Sequence, residues 1–219
     1  MHKKTGSPAA NTAVINGAIR TLLVFVFLFN VAAGLYMPII AIYVNQHVIG
    51  ATLAVLGISI AVYSITKSVF QIPIARMLDI TKGERDDFYI LLLGILMAIV
   101  YSLGFLFVRD VPHLYMLEIF AGVADACNMA AYYALFSHHI DKDSQGFEWS
   151  LFSVAGMTVS AAIGGVLGGY IASNYGFSSV FILSACFNIL AATTLILLFP
   201  YVRNFRHARD YKKLKIGDL

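Results

Sequence analysis

The sequence has 219 residues, 59% of them hydrophobic and only 12% charged, with a mean hydropathy of +0.79. An ordinary soluble domain carries about one quarter charged residues, so this chain could not cover a water-facing surface, and lipid is its expected solvent. Its net charge of +3 is too small to point to nucleic acid.

In chain order, residues 1 to about 18 are small and polar and read as a tail. The first apolar run, Thr21–Val44, is longer than the roughly 7–15 residues of a signal-peptide apolar region. Ala32-Ala33-Gly34 imitates a cleavage site but lies within the run. A second run covers Val48–Thr66 and extends to Leu78; the others are Phe88–Val108, Val111–Phe136, Trp149–Ser173 and Phe177–Val202. Each is long enough to cross a bilayer as a helix, which takes roughly 20 residues. The runs are apolar all round and lack the alternation of barrel strands. The expected fold is therefore an all-α integral membrane protein with six transmembrane helices: a tail over 1–18, a membrane domain over 19–202 and a basic tail over 203–219.

Orientation follows from the basic residues. With the N-terminus inside, Lys3, Lys4, Arg20, Arg76, Lys82, Arg85, Lys142 and the cluster from Arg203 to Lys215 all face the cytoplasm. Only Arg109 lies outside, and Lys67 sits within a span. Both termini are thus expected to be cytoplasmic, with the basic tail against anionic headgroups, where it can form a short interfacial helix. Trp149 and Tyr170 are expected in the interfacial aromatic belt.

A charge near the bilayer centre costs roughly 2.5–3.5 kcal/mol on insertion scales, so Lys67, Glu118 and Asp125 need partners or water. Helical rise puts Lys67 about 22 Å, Asp125 about 18 Å and Asn30 about 21 Å from the outer ends of their helices. Ser64, Lys67, Ser68 and Gln71 share one helical stripe; Glu118, Gly122, Asp125, Asn128 and Tyr132 share another. The first, second and fourth spans therefore read as cavity-facing, and the third and sixth as lipid-facing. Asn30, Lys67, Gln71, Glu118, Asp125 and Asn128 form the candidate substrate or proton site. A Lys67–Asp125 ion pair that merely fixes packing is the simpler alternative.

The fifth span carries Gly156, Gly164, Gly165, Gly168 and Gly169, which at four-residue spacing allow close helix packing. His138 and His139, near Asp141 and Asp143, read as a solvated loop rather than a metal site, since adjacent helical side chains diverge by about 100°. Cys127 and Cys186 lie within spans and read as small buried hydrophobes. No metal or cofactor is expected. No G-x-S-x-G elbow or membrane-depth histidine supports a hydrolase, and no phosphate-binding lysine accompanies the glycines, so neither an enzyme nor an ATP-driven pump is expected. A non-transporting assembly or adaptor protein is the alternative to a transporter.

The Ile74–Asp79 and Gly168–Ser173 segments each close a span shortly before a glycine and a new apolar helix. They end on opposite sides, as in an inverted 3+3 repeat. The stretch from Ala75 to Arg85 is similar to the G-x-L-A-D-R-x-G-R-R motif after the second helix of the major facilitator superfamily, with Asp79, Gly83 and Arg85 in matching places. Gly164-Gly165-Val166-Leu167-Gly168-Gly169 resembles that family's G-P-x-x-G-G motif, with glycine for proline. Over residues 20–200 the chain resembles one six-helix half of such a transporter. The resemblance implies alternating-access transport of a small solute across the plasma membrane and a gating role for Asp79, Gly83 and Arg85. It also implies a cavity lined by helices one, two, four and five, and completion by a second half. A homodimer of like-oriented copies is the expected form, with a heteromer as the other.

Overall fold

The computed structural model describes residues 15–81 and 83–216, with side chains through 202. Among these residues there is no strand, only an isolated bridge where the Ile49 amide donates to the Arg109 carbonyl at 2.8 Å and ties two turns together. Six helices are long and apolar enough to cross a membrane.

Helix α1 (Gly17–Tyr36) opens on Asn16, whose side chain accepts the Ile19 amide at 2.9 Å. It stops before Pro38, which has no amide to continue the ladder. The chain re-enters a short α2 (Ile40–His47). The single first run expected through Val44 is therefore two helices. The second span, α3 (Leu53–Thr81), begins later than expected and holds Pro73 inside; α4 (Glu84–Gly104) follows it. Glu84, Asp86 and Asp87 in the first turn of α4 complement its helix dipole. A 3₁₀ turn, Phe105–Phe107, leads to α5 (Val111–His139), capped by Asp110 on the His113 amide.

The fifth span is composite. A short α6 (Gln145–Leu151) passes into a π-helical stretch, Phe152–Val159, and then into α7 (Ser160–Tyr175). Gly176, at φ +83°, closes α7 in the left-handed region that glycine adopts freely. The last helix, α8 (Phe177–Ile216), runs past the membrane span without a break. The basic tail thus prolongs the sixth span rather than forming a separate interfacial helix; its side chains beyond 202 and the expected tail residues 1–14 lie outside the described residues.

The spans pack in a series: α3 on α5, α5 on α4, α4 on α8, α8 on α1, and α1 on α7. Helices α3 and α7 stand at its two ends. Near the N-terminal end of the bundle the core joins Ile19, Leu22 and Phe25 of α1 to Leu91, Tyr132, Phe136 and Leu195. Near the other end, Phe105 and Phe181 stack at 4.8 Å beneath Tyr43, whose hydroxyl donates to the Phe105 carbonyl at 2.5 Å. Between them, the Ser184 hydroxyl donates to the Ala32 carbonyl at 2.9 Å and meets Ser102 at 3.1 Å, while Asn188 donates to Ser102 at 3.1 Å. These four residues join α1, α4 and α8.

Two further expectations are corrected. His139 is not part of a solvated loop: it is buried, its ring bonds the Leu135 carbonyl, and His138 approaches Asp87 at 3.6 Å. Cys127 is buried, but Cys186 is exposed on α8, so it does not serve as a buried hydrophobe.

Candidate functional site

Lys67 and Asp125 each stand fourteen residues from the first residue of a 29-residue helix, by subtraction from Leu53 and Val111. At 1.5 Å per residue both lie about 21 Å along. They can meet because the helices touch backbone to side-chain position at Gly122. A Cβ there would stand 2.7 Å from Thr66 Cβ, 2.8 Å from the Tyr63 carbonyl and 3.0 Å from the Lys67 amide. Glycine thus brings α3 close enough for Lys67 Nζ to reach Asp125 Oδ2 at 2.6 Å. The Tyr63 hydroxyl donates to the same oxygen at 2.6 Å, and Lys67 Nζ stands 5.9 Å from the Tyr63 ring centre. The pair is only partly covered, with side-chain exposures of 30% for Lys67 and 17% for Asp125.

Toward the Tyr36 end of α1 lies a second polar group. Glu118 is 8% exposed and engages the Tyr101 hydroxyl of α4. Tyr101 meets Tyr36 edge-on, with ring centres 5.8 Å apart. Tyrosines 36, 63 and 101 thus bring α1, α3 and α4 to the carboxylates of α5. The sequence reading missed them: with 12 tyrosines in the chain, none stands out by type or spacing.

The other expected site residues are spread out. Asn30 is half-buried, and its amide turns back to the Val26 carbonyl at 2.9 Å. Gln71 is half-buried one turn beyond Lys67 on α3. Asn128 is buried against α4, where a Cβ on Gly94 would stand 2.6 Å from its Oδ1. The stripe that begins at Glu118 therefore leaves the Lys67 face before Asn128, and Tyr132 below it stacks in the core on Phe152 at 5.3 Å.

Of the fifth-span glycines, Gly156, Gly164 and Gly168 form the seam with α1. A Cβ on Gly164 would stand 2.5 Å from the Val31 carbonyl; one on Gly156 would stand 2.7 Å from Val26 Cγ1; one on Gly168 would overlap the Leu35 carbonyl. Gly165 makes an ordinary approach to Pro38 at 3.5 Å, and Gly169 has nothing within 4 Å. Gly169 therefore takes no part in packing within the bundle, and Gly165 packs only loosely on Pro38. At the turn after α3, Asp79 and Arg85 are exposed and Gly83 caps α4. The buried carboxylate there is Asp87, facing His138, a pairing across separate helices that no local motif signals. Trp149 packs on Phe136 at 4.8 Å, while Tyr170 points outward. Among the described residues no group of His, Cys, Asp and Glu is arranged to hold a metal ion.

No curated protein sequence matches this chain. The family model of the Major Facilitator Superfamily matches residues 22–215, nearly all of the six spans and the helical continuation after them. With six apolar spanning helices that fit a single half of the family fold, this chain belongs to the Major Facilitator Superfamily and is a multi-pass membrane protein of that transporter type.

Proposed function

We propose that the chain is a six-helix half of a secondary transporter that moves a small solute by alternating access, coupled to protons, across the plasma membrane. The Lys67–Asp125 pair is its switching site. One observation carries this reading: a close ion pair at mid-span is left partly uncovered, on the helix that the bundle covers least. Only 6% of the most apolar stretch of α3 is buried, against 61% for α5. Lipid is a poor neighbour for a part-exposed ammonium group at that depth, so this face is read as turned toward a water-accessible cavity. A non-transporting adaptor has no use for such a pair, and nothing in the site offers a nucleophile with a base, so an enzyme is not proposed.

The packing order supports an inverted 3+3 repeat. Exchanging the first three spans with the last three turns the series α3–α5–α4–α8–α1–α7 into its own reverse. The order of neighbours is therefore the same in the two triplets. Both termini are assigned to the cytoplasm by the basic residues. A second half of the same orientation, in our reading a second copy of this chain, covers the exposed faces of α3 and α7. Gly57 and Gly169, which have nothing within 4 Å, allow a neighbouring helix to approach there. The turn with Asp79, Gly83 and Arg85 then meets that half as a gating contact.

The test is uptake of a panel of small solutes into proteoliposomes under an imposed pH gradient, with native mass spectrometry of the same preparation. Asp125→Asn is expected to abolish pH-dependent uptake while expression is unchanged, and the protein is expected as a dimer. Unchanged uptake in Asp125→Asn would refute the site; a monomer fully active in uptake would refute the second half.

A further inference from the structure

We infer that the solute is a small organic anion carried together with one proton, and that Lys67 and Asp125 exchange partners to achieve this. The inference rests on the transporter reading above and assigns the substrate class of the same site.

The sequence alone balances one lysine against two carboxylates and favours neither sign of charge. The structure breaks that balance. Glu118 is 8% exposed and turned to Tyr101, so it offers no open charge to a solute. Asp125 already takes Lys67 and the Tyr63 hydroxyl on one oxygen, both at 2.6 Å, and is the less exposed member of the pair. Lys67 is nearly twice as exposed and has three donors, of which Asp125 engages one. Around it on α3, Ser64 and Ser68 are exposed with their hydroxyl protons given to the Ile60 and Ser64 carbonyls at 2.8 Å. Gln71 adds a neutral amide. At this depth, then, the open face presents an ammonium group among neutral polar groups, and a solute carboxylate or phosphate is the ligand that fits it.

The exchange balances in charge. An anionic solute oxygen takes the ammonium of Lys67, and Asp125 gives up its counter-ion. Tyr63 of α3 still donates to Asp125, and the other titratable groups within reach of its charge are Tyr36 of α1 and Tyr101 of α4, with Glu118 two turns away on its own helix. None of these is a cation. A carboxylate left without a counter-charge at mid-membrane takes a proton from the open side. For a monoanion the loaded site has no net charge beyond that of the empty one, which suits a step in which the site is closed off from water. On the far side the proton leaves, Asp125 reclaims Lys67, and the anion is expelled. Each ligand is therefore bound more tightly when the other is present, as reciprocal coupling requires.

The experiment is isothermal titration of the full chain in nanodiscs with sodium gluconate, malate and glycerol phosphate, and with the chlorides of choline and tetraethylammonium. It is run at two pH values one unit apart, in buffers of different ionisation heat. At least one organic anion is expected to bind, with one proton taken up per anion and a Kd about tenfold tighter at the lower pH. Lys67→Gln is expected to lose anion binding. Asp125→Asn is expected to bind the anion with neither proton uptake nor pH dependence. Binding of the cations alone, anion binding without proton uptake, or no binding from either set would each overturn the inference. Uptake of a bound cation into proteoliposomes would remove the anion and leave the transporter; absence of both binding and uptake would remove the two together.

Discussion

The close approach at Gly122 makes a sharp prediction. In Gly122→Ala the new Cβ would stand 2.7 Å from Thr66 Cβ and 2.8 Å from the Tyr63 carbonyl, and neither neighbour is the far end of a flexible side chain. Carbon contacts settle at about 3.5–4.0 Å, so α3 must retreat from α5 by roughly 1 Å. Tyr63 and Lys67, which reach Asp125 at 2.6 Å, ride on that segment. A retreat of this size takes both past the about 3.2 Å upper range of good hydrogen bonds. Overpacking of this kind costs about 1–3 kcal/mol. The matched controls are Gly57→Ala and Gly169→Ala, where a Cβ meets nothing within 4 Å. There the helix gains up to about 1 kcal/mol of propensity. Equilibrium unfolding in mixed micelles should place Gly122→Ala at least about 1 kcal/mol below both controls. Uptake should fall with it. A Gly122→Ala protein as stable as Gly57→Ala and as active as the unsubstituted protein would refute the argument that this glycine sets the pair.

Ser102→Ala removes the hydroxyl that receives Asn188 and meets Ser184. It is expected to cost about 0.6 and at most about 1.7 kcal/mol, the range for polar contacts between membrane helices, in the same unfolding assay. Tyr43→Phe deletes a buried donor to the Phe105 carbonyl, for an expected loss of about 0.5–1.5 kcal/mol without change in uptake. Glu148 is buried and accepts the Asp141 amide at 3.2 Å and the Ser144 hydroxyl at 3.0 Å. Glu148→Ala should cost about 1–3 kcal/mol and speed proteolytic cleavage at the turn between α5 and α6.

How much of this was legible in the sequence depends on whether the signal is local. Long apolar runs report the solvent directly, so the six spans could be read, as could the two charges that had to meet. Lys67 and Asp125 stand out because charge at mid-span is expensive. What failed was whatever depends on the third dimension. Asn128 shares a helical stripe with Asp125 by spacing, yet the curvature of packing turns it against Gly94 of α4. Gly165 and Gly169 match the motif as well as Gly164 and Gly168 do, but only one face of α7 meets α1. The π turn at Phe152–Val159 shifts the register of the fifth span, and no residue pattern marks it. Asp87 and His138 come from the ends of different helices and carry no shared motif.

The way the bundle is held together bears on how it can move. Lipid tails are as apolar as leucine side chains, so burial gives little reason for one spanning helix to prefer another; close packing and polar contacts must supply it. Helix α1 has both, through the Gly164–Gly168 seam with α7 and the Ala32 carbonyl bonded to Ser184 of α8. Helix α4 has Ser102 in the same network. Helix α3 has no part in that seam or that network. It leans on α5, through the approach at Gly122 and the bonds that Lys67 and Tyr63 make to one carboxylate oxygen. The contact proposed to sense the ligand is therefore also the main polar tie of the least-covered span. A solute or proton that alters Asp125 acts directly on the attachment of α3. In a half whose other spans are locked by glycine seams and a buried hydroxyl network, α3 is where such a change meets the least resistance.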